Sequence, residues 1–444
     1  PAEKGEPPLR LSYFDEEGNA RMYNKSTDSY YLHYFSRKQP DLNWENPEVR
    51  QEIFDMMRFW FDKGIDGFRM DSISLIAKDP SFPLIDSKKY PDIFSFYAKE
   101  PRLHLYLHEM NRQVLSKYDC MSVGEGSAVM VDDVAKFVDP AREELNMLYH
   151  FDAARIRNTT LPDNPESGID YSLIALKKMF TEWDKAVDKG WPSIYLGNHD
   201  QPRMVSRFGS DKDEFRALSA KMLITFLLTM RGTPYWFAGD EIGMRNIRFD
   251  RIEDYNDIDT INRYKKAKAE GKDPQAVLDE QKETGRDNAR TPFQWDRSPE
   301  TGFTAGTPWL KVNPDYTWIN VADEEKDPTS ILNYFKKVVS FRKENPSLIY
   351  GSYHLLDAEN PQSYTFLRKT GADTYLIMLN FSPKAAISTP GIDMSNAHVL
   401  LDNYGDRSHM APQKDITLRP FEAIVFQLNH PVYESFIDSL DLLE

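Results

Sequence analysis

Cysteine is all but absent: the 444-residue chain holds one, Cys120. One thiol excludes an internal disulfide framework and fits a reducing compartment, so a cytoplasmic setting is expected. It stands in the apolar run Cys120-Met121-Ser122-Val123 with no base evident beside it, and its expected role is a packed thiol, not a nucleophile. No apolar run approaches the roughly 18–20 residues of a membrane span. No signal peptide opens the chain; its first residues, Pro-Ala-Glu-Lys, read as though the natural start lies elsewhere. Positive charge is in deficit, with 55 Lys and Arg against 70 Asp and Glu and a formal net charge of −15. That balance repels phosphate and argues against nucleic acid or an anionic membrane as partner. There is no glycine-rich phosphate loop and no Gly-x-Ser-x-Gly elbow, and the nine histidines form no cluster with acids at metal-ligand spacing. Dinucleotide binding, serine hydrolysis and a zinc site are disfavoured accordingly.

What is present is aromatic and periodic. Eight Trp, 23 Tyr and 26 Phe suit stacking on sugar rings, and suit core packing equally. Residues 1–35 are polar and punctuated by Pro and Gly, and read as the loop-rich end of an inserted domain with short strands. Asn46 then offers an N-cap and Pro47 a first helical residue. Ile53, Met56, Met57, Trp60 and Phe61 follow at helical spacing, and Gly64 stops the helix. The strand Gly67-Phe68-Arg69-Met70-Asp71 comes next. Its period of two places Phe68 and Met70 on one face, Arg69 and Asp71 on the other.

That unit recurs. A helix near 105–118 leads to Cys120–Val123 and Gly124-Glu125, and a strand near 146–151 ends at Asp152. A helix near 171–188 leads to Pro192–Gly197 and Asn198-His199-Asp200, and a helix over 214–230 to Pro234–Ala238 and Gly239-Asp240-Glu241. Five strand–helix units in series, four with polar clusters at the strand's C-terminal end, predict the active face of a (β/α)8 TIM barrel. Five of eight units implies that strands 4–8 are present and that the first three units precede residue 1, in a separate or missing piece. A charged insertion spans 241–300, and a last barrel helix spans about 333–343. The barrel portion is thus 36–346. From 347 to 444 the texture alternates, with strands expected at 363–367, 374–380, 398–401, 416–418 and 423–428, and reads as an antiparallel β domain of sandwich type.

Asp71, Glu125 and Asp200 each stand at the C-terminal end of a different strand, ends that a parallel barrel brings to one face. Two carboxyls about 5–5.5 Å apart suit retaining glycoside hydrolysis, one as nucleophile and one as acid then base. Arg69 is expected to hold Asp71 ionised, and neighbouring acids to help keep Glu125 protonated. His199 reads equally as a sugar-hydroxyl ligand or a satisfied loop histidine.

Five stretches, in order, resemble the α-amylase superfamily of glycoside hydrolases, and within it the oligo-1,6-glucosidase and dextran-glucosidase branch. They are Gln39-Pro40-Asp41-Leu42-Asn43-Trp44-Glu45-Asn46-Pro47, Gly67–Asp71, Val123-Gly124-Glu125, Gly197-Asn198-His199-Asp200-Gln201-Pro202-Arg203 and Arg290-Thr291-Pro292-Phe293-Gln294-Trp295-Asp296. The resemblance implies Asp71 as nucleophile, Glu125 as acid/base and Asp200 as the third carboxylate, which grips sugar hydroxyls. It implies that Arg69 and His199 orient the nucleophile and bind the glucose at the non-reducing end, and that Gln201 and Arg290 line the site toward the leaving sugar. An oligosaccharide substrate and an exo-acting α-glucosidase are the expectation. The family's calcium loop would lie upstream of residue 1, so neither metal nor cofactor is expected in this chain. Ser72 follows the nucleophile where the branch has valine, or threonine or alanine, and leaves α-1,6, α-1,4 and sucrose preference open. Arg155 and Arg157 lie where sucrose isomerases of the family are basic, which keeps isomerase or transglucosylase chemistry as the alternative. A non-catalytic transporter partner subunit is the remaining one.

Overall fold

The computed structural model describes residues 20–80, 96, 98, 100–371, 373–410 and 413–428. They form two compact units. The first comprises Pro1–Phe151, Lys185–Ser193 and Ile261–Pro274; the second comprises Asp152–Asp184, Ile194–Thr260 and Gln275–Glu444.

The first unit opens with a hairpin, β1 (Arg21–Asn24) against β2 (Ser29–Leu32), beside a small core of Ala20, Tyr34 and Leu75. Asn46 then accepts from the Glu48 amide at 2.9 Å, and Pro47 begins a helix that runs to Asp62. The cap satisfies an amide that has no carbonyl four residues back, and proline sacrifices one that had none to lose. Phe54, Met57 and Phe61 are the buried side of this helix. Met56 and Trp60, expected on the same stripe, are each 45% exposed. Two apolar stripes fit a 3.6-residue period here, and the one that meets β3 is buried, with Phe61 edge-on to Phe68 at 5.0 Å. Gly64, at φ +92°, ends the helix in a conformation that costs a side chain energy.

β3 (Gly67–Met70), β4 (Met121–Glu125) and β5 (Met147–Tyr149) pair in parallel in that order, with Arg69 opposite Val123 and Val123 opposite Met147. The helix Arg102–Gln113 lies between β3 and β4 in sequence, as a parallel connection requires. Asn146 pins the register of β5, its side-chain oxygen accepting from the Ser122 amide at 2.8 Å.

Further along the chain the helices Leu173–Ala186 and Arg216–Thr229 precede β6 (Ser193–Ile194) and β7 (Thr233–Pro234), which pair with one another. Both strands are shorter than the sequence suggests. Pro192 and Pro234 bring no amide to a ladder, and the chain leaves β6 and β7 at once for the loops that carry Asp200 and Asp240. Arg216–Thr229 is buried nearly all round, which accounts for its continuous apolar sequence. The charged insertion contains two helices, Ile258–Ala269 and Pro274–Thr284.

Ser330 caps the helix Ile331–Glu344 through the Asn333 amide at 3.1 Å. After it come β8 (Ser352–Leu356), β9 (Ser363–Thr370), β10 (Asp373–Asn380), β11 (Ala386–Ser388), β12 (Ala397–Asp402), β13 (Ile416–Leu418) and β14 (Ala423–Leu428). One antiparallel sheet has the order β12-β14-β10-β9-β8, and β11 pairs with β13 in another. Leu367, Leu376, Met378, Leu418, Ile424 and Phe426 make the core. The five strands expected here are present; β8 and β11, one polar at its start and one only three residues long, were not anticipated.

Candidate active site

In the first unit Arg69 projects from β3 and donates to Asp71 Oδ1 with one arm of its guanidinium and to Glu125 Oε2 with the other. It therefore fixes the carboxyls at the ends of β3 and β4 on one planar fork. Glu125 also accepts from the Ser127 hydroxyl at 3.1 Å and from the Ser72 amide at 3.4 Å. The loops after the two strands are tied where the Ser74 hydroxyl donates to the Ser127 carbonyl at 2.9 Å. The approach is close: a Cβ on Gly124 would lie 2.7 Å from Ile73 and Leu145 side-chain carbons. Ser72 stands at φ 43°, in the left-handed region, so the turn after Asp71 is held against its own preference.

The two carboxyls see different surroundings. The Asp71 side chain is 72% exposed and that of Glu125 11%. Burial pushes Glu125 up to about 7, aided by the hydrogen bond and charge of Asp71, while Arg69 pulls it down. Neighbouring acid was the expected cause; desolvation proves the larger one.

In the second unit the turn after β6 is set by Asn198, whose side chain accepts from the Asp200 amide at 2.8 Å. Asp200 Oδ1 takes Arg290 Nη2 at 2.6 Å and Arg286 Nη1 at 3.1 Å, and Oδ2 lies 3.2 Å from His199 Nε2. Arg290 Nε donates to the His199 carbonyl at 2.7 Å. Arg286 is shared with buried Asp257, which accepts from the Thr260 amide at 3.1 Å. The Gln201 side-chain oxygen accepts from Arg207, which also donates to the Ala154 carbonyl.

Arg69, Asp71 and Glu125 thus meet in one unit, and His199, Asp200 and Arg290 meet in the other. Arg286, Asp257 and Arg207 were not singled out from sequence. The Arg-x-x-x-Arg spacing of 286 and 290 within one turn was the available signal for the first. Arg155 lies in the helix Asp152–Thr159, 3.9 Å from Asp152. Among the described residues no group of His, Cys, Asp and Glu could hold a metal ion, and no helix is long and apolar enough to cross a membrane.

A pair of carboxyls on one guanidinium, one exposed and one buried with a raised affinity for its proton, can divide nucleophile and acid roles between them. Comparison with known proteins places the chain in a family. The α-amylase catalytic-domain family matches residues 1–351. The oligo-1,6-glucosidase of Parageobacillus thermoglucosidasius is 47% identical over 424 residues, 93% of this chain and 74% of that protein. That of Bacillus cereus is 44% identical over 421 residues, with the same shares. Among solved structures, the isomaltulose synthase SmuA from Protaminobacter rubrum matches at a TM-score of 0.89 and 37% identity, covering 97% of this chain and 77% of that one. These matches bring with them a TIM barrel followed by a C-terminal β domain.

Proposed function

The chain belongs to the α-amylase catalytic-domain family of glycoside hydrolases, and on that premise we propose that it is a retaining, exo-acting α-glucosidase of short α-1,6- or α-1,4-linked glucosides. The observation that carries the reading is the Arg69 fork between Asp71 and Glu125. Exposed Asp71 attacks the anomeric carbon as Glu125 passes its proton to the leaving glycosidic oxygen and the C–O bond breaks. Glu125, now a carboxylate, takes a proton from water; the water oxygen displaces Asp71, and glucose leaves with its original configuration. Asp200, with Arg286 and Arg290 behind it, is the third carboxylate, and His199 and Gln201 line its loop.

Two observations keep a second reading in play. Isomaltulose and trehalulose synthases are among the structural relatives, and Arg155 and Arg157 follow β5. In that reading a sugar, not water, takes the glucosyl group. Incubation with isomaltose and with sucrose, followed by product analysis, separates them. Free glucose from isomaltose supports the hydrolase. Isomaltulose or trehalulose with little free glucose from sucrose overturns it.

A further inference from the structure

A buried ion pair brackets the loop that carries Asp200. Arg203 is 2% exposed and Asp240 4%, and Arg203 Nη1 stands 3.7 Å from Asp240 Oδ1. The same guanidinium donates to the Ala238 carbonyl at 2.7 Å and lies over the Phe237 ring at 5.2 Å, while its Nε has no hydrogen-bond partner among the described residues. At the other end of the loop, a Cβ on Gly197 would lie 2.8 Å from Asp240 Oδ2. One carboxylate therefore touches both ends of Gly197–Arg203, by packing at the first residue and by charge at the last. Gly239, at φ +103°, leaves room for Arg203, since a Cβ there would lie 2.6 Å from Nη1. The Arg203 amide donates to the Asn246 side chain at 3.0 Å and closes the loop.

Two charges out of water are expensive, and an apolar pair of similar volume would hold a core at least as well. Asp240 faces Arg203 and its neighbour Glu241; burial pushes it up to about 7, with Arg203 opposing. Glu241 is occupied by the Gly239 amide at 2.8 Å and the Trp236 indole at 3.3 Å. The pair is thus poorly placed as a source of stability and well placed to set a backbone.

We propose that Asp240 and Arg203 are positioning residues for the reaction: they fix the Gly197–Arg203 loop so that Asp200 reaches the sugar in the geometry the transition state requires. The proposal rests on the reading of Asp200 as the third carboxylate. A grip tighter in the transition state than in the bound substrate affects kcat more than KM.

The test uses D240N, D240E, R203K, D200N and the D240N/D200N double variant, assayed for kcat and KM on an aryl α-glucoside whose good leaving group keeps slow variants measurable. D240N is expected to lose about tenfold or more in kcat with KM within about threefold, and D240E, which keeps the charge, to recover most of that loss. In the D200N background the same D240N change should alter kcat by less than about twofold, because the group it places is gone. Wild-type kcat in D240N, or a full loss repeated in the D200N background, overturns the proposal. If D240N does not fold, R203K and its double variant with D200N are held to the same thresholds. Wild-type kcat in D200N alone would instead overturn the reading of Asp200, a separate outcome.

Discussion

At the residue scale the proposed chemistry turns on two carboxyls that share one arginine and differ in burial. Asp71 has an exposed carboxyl beside a guanidinium, as a nucleophile at an open site needs. An asparagine there keeps the shape and loses the attacking oxygen. D71N should lower kcat by about 10⁴-fold or more with an unchanged melting curve; activity within tenfold of wild type would remove Asp71 from its role.

In the proposed mechanism Glu125 carries a proton when the glycosidic bond breaks. Its folded-state pKa is raised to about 7, so below that pH the acid is loaded, and as pH rises through about 7 the proton is lost. A pH profile of kcat/KM should therefore fall on its alkaline side near 7, about tenfold per unit. E125Q should erase this limb on an aryl glucoside whose leaving group needs no proton. A limb unchanged in E125Q would assign it to another group.

At the element scale, the helix Arg216–Thr229 ends in carbonyls that two buried arginines collect. Arg342 donates to the carbonyls of Leu228, Met230 and Leu348 at 2.8, 2.8 and 2.7 Å. Arg368 donates to those of Thr229, Leu348 and Gly351. Cations at a helix C-terminus also meet the negative end of its dipole. Replacing Arg342 with methionine strands several buried carbonyls and should cost about 3 kcal/mol or more in a denaturant titration. Lysine, which can reach one or two of them, should cost less. A methionine variant as stable as wild type would mean that water takes those carbonyls over. At β4, Gly124 admits no Cβ without displacing Ile73 or Leu145, so G124A should lower the melting temperature and shift Glu125, lowering kcat/KM together with stability.

Elements were legible where local chemistry decides them. The Asn46 cap with Pro47, the glycine stop at Gly64, and the alternation of β9, β10 and β14 could all be read directly. The buried side of Pro47–Asp62 could not, because two stripes fit one period and only β3 selects Phe54, Met57 and Phe61. The shortness of β6 and β7 was not legible: Pro192 marks only where β6 begins, and the apolar runs continue past Ile194 and Pro234 where the strands stop.

At the scale of the whole molecule, the acid excess and single cysteine bound the class, while motif order carried the family. Asp71 and Glu125 were visible because each sits where a strand ends; Asp200 was visible through the polar cluster Asn198-His199-Asp200, although β6 stops at Ile194 and a loop carries it. Arg286 and Asp257 were not, since a ring of charges closing on Asp200 depends on how the 241–300 insertion folds back, which no local pattern encodes. Nor was the Arg203–Asp240 pair, whose members are remote in sequence and meet only through two glycines.

The central claim is a covalent glucosyl–enzyme formed on Asp71. A fluorinated α-glucosyl fluoride, which loads a retaining enzyme faster than it leaves, would trap that species for peptide mapping by mass spectrometry. The expected result is one glucosyl adduct, located on Asp71 and lost in D71N. An adduct on Glu125 or Asp200, or turnover with no adduct at any carboxylate, would contradict the mechanism.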